Sequence, residues 1–204
     1  MIKSRFSVAA ALLAVLALAA PARADAVSEG TQVIRSMGDT VIAILANKGL
    51  PKAQREERFR QIYRANFDHS VIAASVMGPT WKSTALPVQQ EYLQVFEVYI
   101  SKVYAAQLSA YSGEKLDVFK GEAEGNGATI DSRIVDPKSG RTVDIKWRLR
   151  PTGGQMKVRD VLIENISMAQ TQRREFAAVL QQRGGKAEGL IAAIREKIAD
   201  LDKR

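Results

Sequence analysis

The sequence predicts an α+β domain in which helices pack on one face of a curved antiparallel sheet of about four strands, with room for a cavity between the layers. Three observations predict it. Apolar residues recur at spacings of three and four from Val27 to Tyr111, the period changes to two between Lys115 and Ile163, and the helical period returns after Ser167. Two turn clusters, Pro137-Lys138-Ser139-Gly140 and Thr152-Gly153-Gly154, separate the last three strand candidates and make them antiparallel neighbours. The chain has 204 residues, 46% hydrophobic and 25% charged, which suits one packed domain and argues against wholesale disorder.

The first element is not part of that domain. Lys3 and Arg5 precede an apolar run from Phe6 through Ala20, and Pro21 leads into Ala22-Arg23-Ala24, the small-x-small pattern at which a secretory leader is cleaved. The run is short of the ~20 apolar residues a bilayer span needs. Residues 1–24 are therefore expected to be a signal peptide and residues 25–204 a single exported domain. Loss of Lys3, Arg5 and Arg23 with no acid takes the charge from +8 to +5, a modest bias toward anionic surfaces that is also ordinary solubility charge. Basic residues interleaved with acids, in a protein that leaves the cytoplasm, make nucleic acid a poor partner.

Val33, Ile34, Met37, Val41, Ile44 and Leu45 give the mature chain's first helix, over Val27–Ala46, ended by Gly49-Leu50-Pro51. A second helix, Lys52 to about Asn66, presents Phe59, Ile62 and Tyr63. Asp68 stands at an N-cap position, so His69–Met77 reads as a short helix with Val71, Ile72 and Val76 inward, closed by Gly78-Pro79. Pro87 suits a first helical turn, and the pattern from there to Tyr111 predicts the longest and most aromatic helix. Strand candidates follow at Lys115–Glu122, Ala128–Asp136, Arg141–Arg150 and Gln155–Ile163. The third alternates cleanly, with Val143, Ile145, Trp147 and Leu149 on one face. Phe176, Val179 and Leu180, then Leu190, Ile191, Ile194 and Ile198, give two closing helices broken at Gly184-Gly185.

Little in this chain can do covalent chemistry. Without cysteine there is no thiolate nucleophile, disulfide or zinc–thiolate site, and His69 is the sole imidazole, which removes multi-histidine metal sites. The glycines from Gly121 to Gly127 have the wrong spacing for a phosphate loop and read as a hairpin turn. His69 reads as first-turn helix surface, and as a base it would need an orienting acid. Asp160 shares strand parity with Met156, Val158 and Leu162. It is either an inward acid paired with Arg148 or Arg173, or a general base of the kind small α+β isomerases use.

The stretch Phe67-Asp68-His69-Ser70-Val71-Ile72-Ala73-Ala74-Ser75-Val76-Met77-Gly78-Pro79-Thr80-Trp81 resembles the F-D-x-x-x-I-A-x-x-V-L-G-x-x-W signature of MlaC proteins, the toluene-tolerance auxiliary family of periplasmic phospholipid-binding proteins. Agreement continues through Tyr111-Ser112-Gly113, Ile134-Val135-Asp136-Pro137, Val143-Asp144-Ile145-Lys146-Trp147-Arg148, Asp160-Val161, Glu164-Asn165-Ile166-Ser167-Met168 and Arg174-Glu175-Phe176. It covers almost the whole mature chain in order. Asn165 departs from the family's usual glycine, and asparagine can adopt the same left-handed backbone.

The resemblance implies an NTF2-like fold and a monomeric, non-enzymatic lipid carrier in the periplasm, without cofactor or metal. Its partners would be an outer-membrane lipoprotein–porin complex and an inner-membrane ABC transporter with an MCE-domain ring, and its role the maintenance of outer-membrane lipid asymmetry. A hopanoid or other polycyclic cargo is an alternative, as is a small isomerase or hydrolase of the same fold. On the carrier reading, Tyr104 and Ile166 line the acyl chamber. Helical face and strand parity add Ile72, Val76, Phe96, Ile100, Val103, Val143, Ile145, Trp147, Val158 and Leu162.

Overall fold

The computed structural model describes residues 19–203. Most of the expected leader falls on residues 1–18, outside the described residues. Helix α1 (Ala19–Ala46) is followed by α2 (Lys52–Asn66), α3 (His69–Met77), the single turn α4 (Thr80–Ser83), which carries Trp81 and was not anticipated, and α5 (Leu86–Gln107). A 3-10 turn, Leu108–Ala110, continues α5 toward the sheet, and α6 (Met168–Gln182) and α7 (Ala187–Asp202) close the chain.

Between them runs one antiparallel sheet in sequence order: β1 (Lys115–Glu124), β2 (Gly127–Val135), β3 (Thr142–Thr152), β4 (Gln155–Ile163) and β5 (Ile166–Ser167). The two-residue β5 is one strand more than expected. It exists because Glu164 and Asn165 both take left-handed backbone, φ 49° and 65°, the requirement of the tightest hairpin turn. Asn165 thus does what glycine would do. Glu164 is held there by its amide to the Asp144 carbonyl, 3.0 Å, and by accepting the Asp144 N–H at 2.7 Å.

Asp68 occupies the N-cap position of α3 but does not cap it. Its carboxylate, 4% exposed, accepts from Arg159 Nε at 3.0 Å and Thr152 Oγ1 at 2.8 Å, while Phe67 bridges to Val158 and the Asp68 amide donates to the Val158 carbonyl at 2.9 Å. The Phe-Asp pair of the signature therefore fastens the α2–α3 junction to the edge of β4. A buried carboxylate needs a cation, and the nearest one outcompetes the helix amides.

Two bulges break the period-two rule. Phe119 in β1 and Arg159 in β4 have no residue opposite them. The second corrects the parity expectation for β4. Val158 opposes Leu149, but beyond the extra residue it is Val161 that opposes Trp147 and Ile163 that opposes Ile145. Leu162 instead pairs with Lys146 and Asp160 with Arg148, so neither shares the face of Val158.

The apolar interior is divided. One cluster sits between α1 and the sheet, around Ile34, Ile130, Leu149 and Val158. A second joins α3, α5, α6 and α7 through Tyr92, Phe96, Phe176 and Leu190. A third ties the end of α1 to α2 and α5 through Ile44, Leu45, Phe59 and Ala105. Gly38 lets α1 approach the sheet: a Cβ there would stand 2.4 Å from the Leu116 side chain.

Candidate functional site

Where the three clusters meet there is a cavity of about 510 Å³ in place of packed side chains, within the ~300–1,000 Å³ typical of ligand pockets and well above the ~150 Å³ of an apolar cavity that holds one benzene. Each cluster contributes wall: Met37 from the first, Val76 and Phe96 from the second, Leu45 and Phe59 from the third. Of the lining residues, Gln107 at the end of α5, Ala110 in the 3-10 turn and Lys115 at the start of β1 are exposed, which marks that side as wet.

On α5 and the 3-10 turn that continues it the wall is the stripe Phe96, Ile100, Tyr104 and Leu108, spaced by four, together with Gln107. On the sheet it is Ile134 of β2, Ile145 and Trp147 of β3, and Val161 and Ile163 of β4. Ile72 and Val76 project from α3. Of the residues expected at an acyl chamber, Ile72, Val76, Phe96, Ile100, Tyr104, Ile145 and Trp147 lie on this wall and five do not. Val103 falls one position off the α5 stripe. Val158 is fully buried in the α1 cluster, and Leu162 is carried to the other face by the bulge. Val143 and Ile166, 37% and 56% exposed, continue the sheet's apolar face beyond the cavity, because Val143 opposes Ile134 and Ile166 opposes Ile163.

Sequence reasoning missed the contributions of α1 and α2: Met37, Val41 and Leu45 from one, Phe59, Ile62 and Tyr63 from the other. Their helical spacing was legible, but spacing is the same for a residue against a neighbour and a residue against a void. Val161 and Ile163 were hidden by the bulge.

Several polar groups around the wall are tied into structure. Asp160 borders the cavity, and its carboxylate accepts from Ser167 Oγ at 2.7 Å, the Val161 amide at 2.9 Å and the Ala169 amide at 3.2 Å. Arg148 stands off at 3.9 Å. The carboxylate thus secures the first turn of α6. Glu97, 7% exposed, is bonded to Arg64 at 2.7 Å. Trp147 Nε1 donates to Ser132 Oγ at 2.8 Å. Burial lowers the His69 pKa, favouring the neutral ring, and burial foremost raises the pKa values of Tyr63 and Tyr104, keeping both phenols protonated. Among the described residues no cluster of carboxylates and imidazole could hold a metal ion, and no helix is long and apolar enough to cross a membrane. What remains is a mainly apolar wall, wet where Gln107, Ala110 and Lys115 lie, an arrangement that binds hydrocarbon.

Known proteins place this architecture. The family model for the MlaC protein matches residues 35–196. The intermembrane phospholipid transport system binding protein MlaC of Haemophilus influenzae is 24% identical over 115 residues, 54% of either chain. The toluene tolerance protein ttg2D of Pseudomonas putida is 25% identical over 126 residues, 61% of this chain and 58% of that one. The aligned stretches thus span little more than half of either relative. A phospholipid-binding protein from Ralstonia solanacearum, solved in complex with a phospholipid, superposes with a TM-score of 0.71 at 20% identity, over 85% of this chain and 99% of that one, which shows the shared fold. With the family model running from α1 to α7, across every element that builds the cavity, this chain belongs to the MlaC family.

Proposed function

We propose that the chain is an exported phospholipid carrier. It takes a two-tailed lipid into the cavity and moves as a monomer through the periplasm between an outer-membrane lipoprotein–porin complex and an inner-membrane transporter with an MCE-domain ring. In doing so it maintains outer-membrane lipid asymmetry, and no bond of the cargo is made or broken. The tails lie against Ile72, Val76, Phe96, Ile100, Tyr104, Ile145 and Trp147, with the headgroup at the wet end.

The observation that carries this reading is the cavity of about 510 Å³, lined mainly by apolar side chains and reaching solvent. A phospholipid exposes roughly 30 methylenes, so moving it bare through water costs on the order of 20 kcal/mol at ~0.8 kcal/mol each. A carrier removes that barrier if its interior nearly matches the bilayer: tighter binding would trap the cargo and weaker binding would never extract it. Family membership supports the reading, as do the phospholipid-transport and toluene-tolerance roles of the two relatives and the lipid bound to the Ralstonia protein.

Native mass spectrometry of protein purified from a periplasmic extract tests it. The expected spectrum shows co-purifying phospholipid. Repeated recovery of lipid-free protein that cannot take lipid from vesicles would overturn the proposal, and extraction of a hopanoid would replace the cargo.

A further inference from the structure

Among the described residues three tyrosines line the cavity, Tyr63, Tyr104 and Tyr111, and their hydroxyls meet different surroundings. The Tyr63 oxygen is closed off on every side. Tyr111 stands at the wet side, its ring under the Lys48 ammonium at 5.4 Å. Tyr104 lies between these extremes. No group among the described residues hydrogen-bonds its hydroxyl, and unlike the Tyr63 oxygen it is not sealed in protein, so its free side is the cavity that the residue lines. A largely buried phenol ordinarily finds an acceptor, as Tyr92, away from the cavity, does on the Ala73 carbonyl at 3.1 Å.

The place of Tyr104 on α5 says which part of a lipid it meets. It stands three residues before Gln107, about 5 Å of helix rise inward from the wet side, while Ile100 and Phe96 lie one and two turns deeper. A lipid with its headgroup at the wet side therefore sets its glycerol region beside Tyr104 and its tails beside Ile100 and Phe96. Burial foremost, then charged neighbours that include Asp160 and Glu175, keeps the phenol protonated, so it is a donor. The Asp160 carboxylate borders the same space and disfavours an anion there. Its own oxygens accept from Ser167, Val161 and Ala169, and not from Tyr104. The acceptor that suits the hydroxyl is thus uncharged, and the uncharged acceptors between the headgroup and the tails of a phospholipid are its acyl ester carbonyls.

Resting on the carrier reading, we propose that the Tyr104 hydroxyl donates to an ester carbonyl of the cargo, so that the cavity selects ester-linked over ether-linked phospholipid. An ether keeps only the in-chain oxygen, flanked by methylenes on both sides. Filling the cavity with it drives water from the hydroxyl without replacing the lost bond.

The test offers delipidated protein vesicles of equal parts dioleoyl phosphatidylcholine and its dioleyl ether counterpart, which match in headgroup and tail length, with bound lipid read by native mass spectrometry. Wild type is expected to favour the ester about fivefold, the factor for one net neutral hydrogen bond. Tyr104→Phe brings the ratio near one and, lipid-free, melts with wild type, since the hydroxyl it removes bonds nothing in the protein. Tyr92→Phe, whose hydroxyl is satisfied away from the cavity, keeps the preference. A ratio near one in wild type, a preference that survives Tyr104→Phe, or a Tyr104→Phe chain that melts well below wild type would each overturn the inference while the carrier reading stands. Failure to take up either lipid would bring down the carrier reading itself.

Discussion

Beneath Ile34 of α1 the sheet face is filled: Ala128, Ile130, Leu149 and Val158 are fully buried. Along the same strands, Ile134, Ile145, Trp147, Val161 and Ile163 turn the same kind of surface toward a void of about 510 Å³. The two regions share residue types, strands and pleat. They differ in what lies above them. Over the filled half α1 closes onto the sheet, with Gly121 admitting Val27, whose side chain would stand 2.5 Å from a Cβ at that position. Over the hollow half the second part of α1 is joined by α2, α3, α5 and the start of α6, which pack on one another and span the gap. Hollowness in this protein is a property of the roof and not of the floor.

The sharpest way to break that contrast is truncation. Leu149→Ala, in the filled half, opens a new cavity and is expected to cost about 3 kcal/mol, or roughly 10 °C in melting temperature for a chain of this size. Ile145→Ala removes a similar side chain from beside a space that already exists, and its cost should stay near ~1 kcal/mol, since few packing partners are lost. Thermal or urea unfolding of the two variants decides it, and equal losses would mean that the void is closed in solution.

Enlargement gives a smaller, opposite contrast across the β4 bulge. Val158→Phe overpacks a site with no free volume and should cost about 1–3 kcal/mol. Val161→Phe, three residues on and on the same face, extends into the cavity, so its stability should change by less than ~1 kcal/mol while lipid uptake from vesicles falls several-fold. If Val161→Phe left uptake intact, the cavity would not be the lipid site.

The smallest effect is one of pH. Burial lowers the His69 pKa below its ordinary value of 6.5, so between the two values the unfolded chain binds more proton. Stability therefore rises with pH through that window, levels off above about 6.5, and is lost as pH falls through the lowered folded pKa. In the His69→Phe variant the slope of melting temperature against pH over that window should flatten. An unchanged slope would assign it to the carboxylates.

How far the sequence could be read depended on the range of the interaction concerned. Helices α2 and α3 and strand β4 have the bounds that local pattern assigns, because caps, prolines and periodicity act within a few residues. Tyr104 and Ile100 stand on the wall because helical spacing puts them on the face of Phe96. Asp68 was misjudged because its partners, Arg159 and Thr152, are more than 80 positions away. Leu162 was misplaced because a bulge at Arg159 costs no apolar residue and leaves no mark on alternation. Val143 and Ile166 carry the right parity, yet the roof ends before it reaches them.

By itself the sequence determined the α+β layering, the order of the elements and the family, since these follow from periodicity, turn chemistry and a motif that any fold of this chain must accommodate. It also excluded thiol and multi-histidine chemistry by composition. Only the tertiary structure decided that the interior is split into three clusters with a chamber between them. The physical reason is that an apolar residue lowers its free energy against any nonaqueous neighbour, be it a side chain or a guest. The pattern along the chain records the need for burial, while the distances between helices settle what provides it.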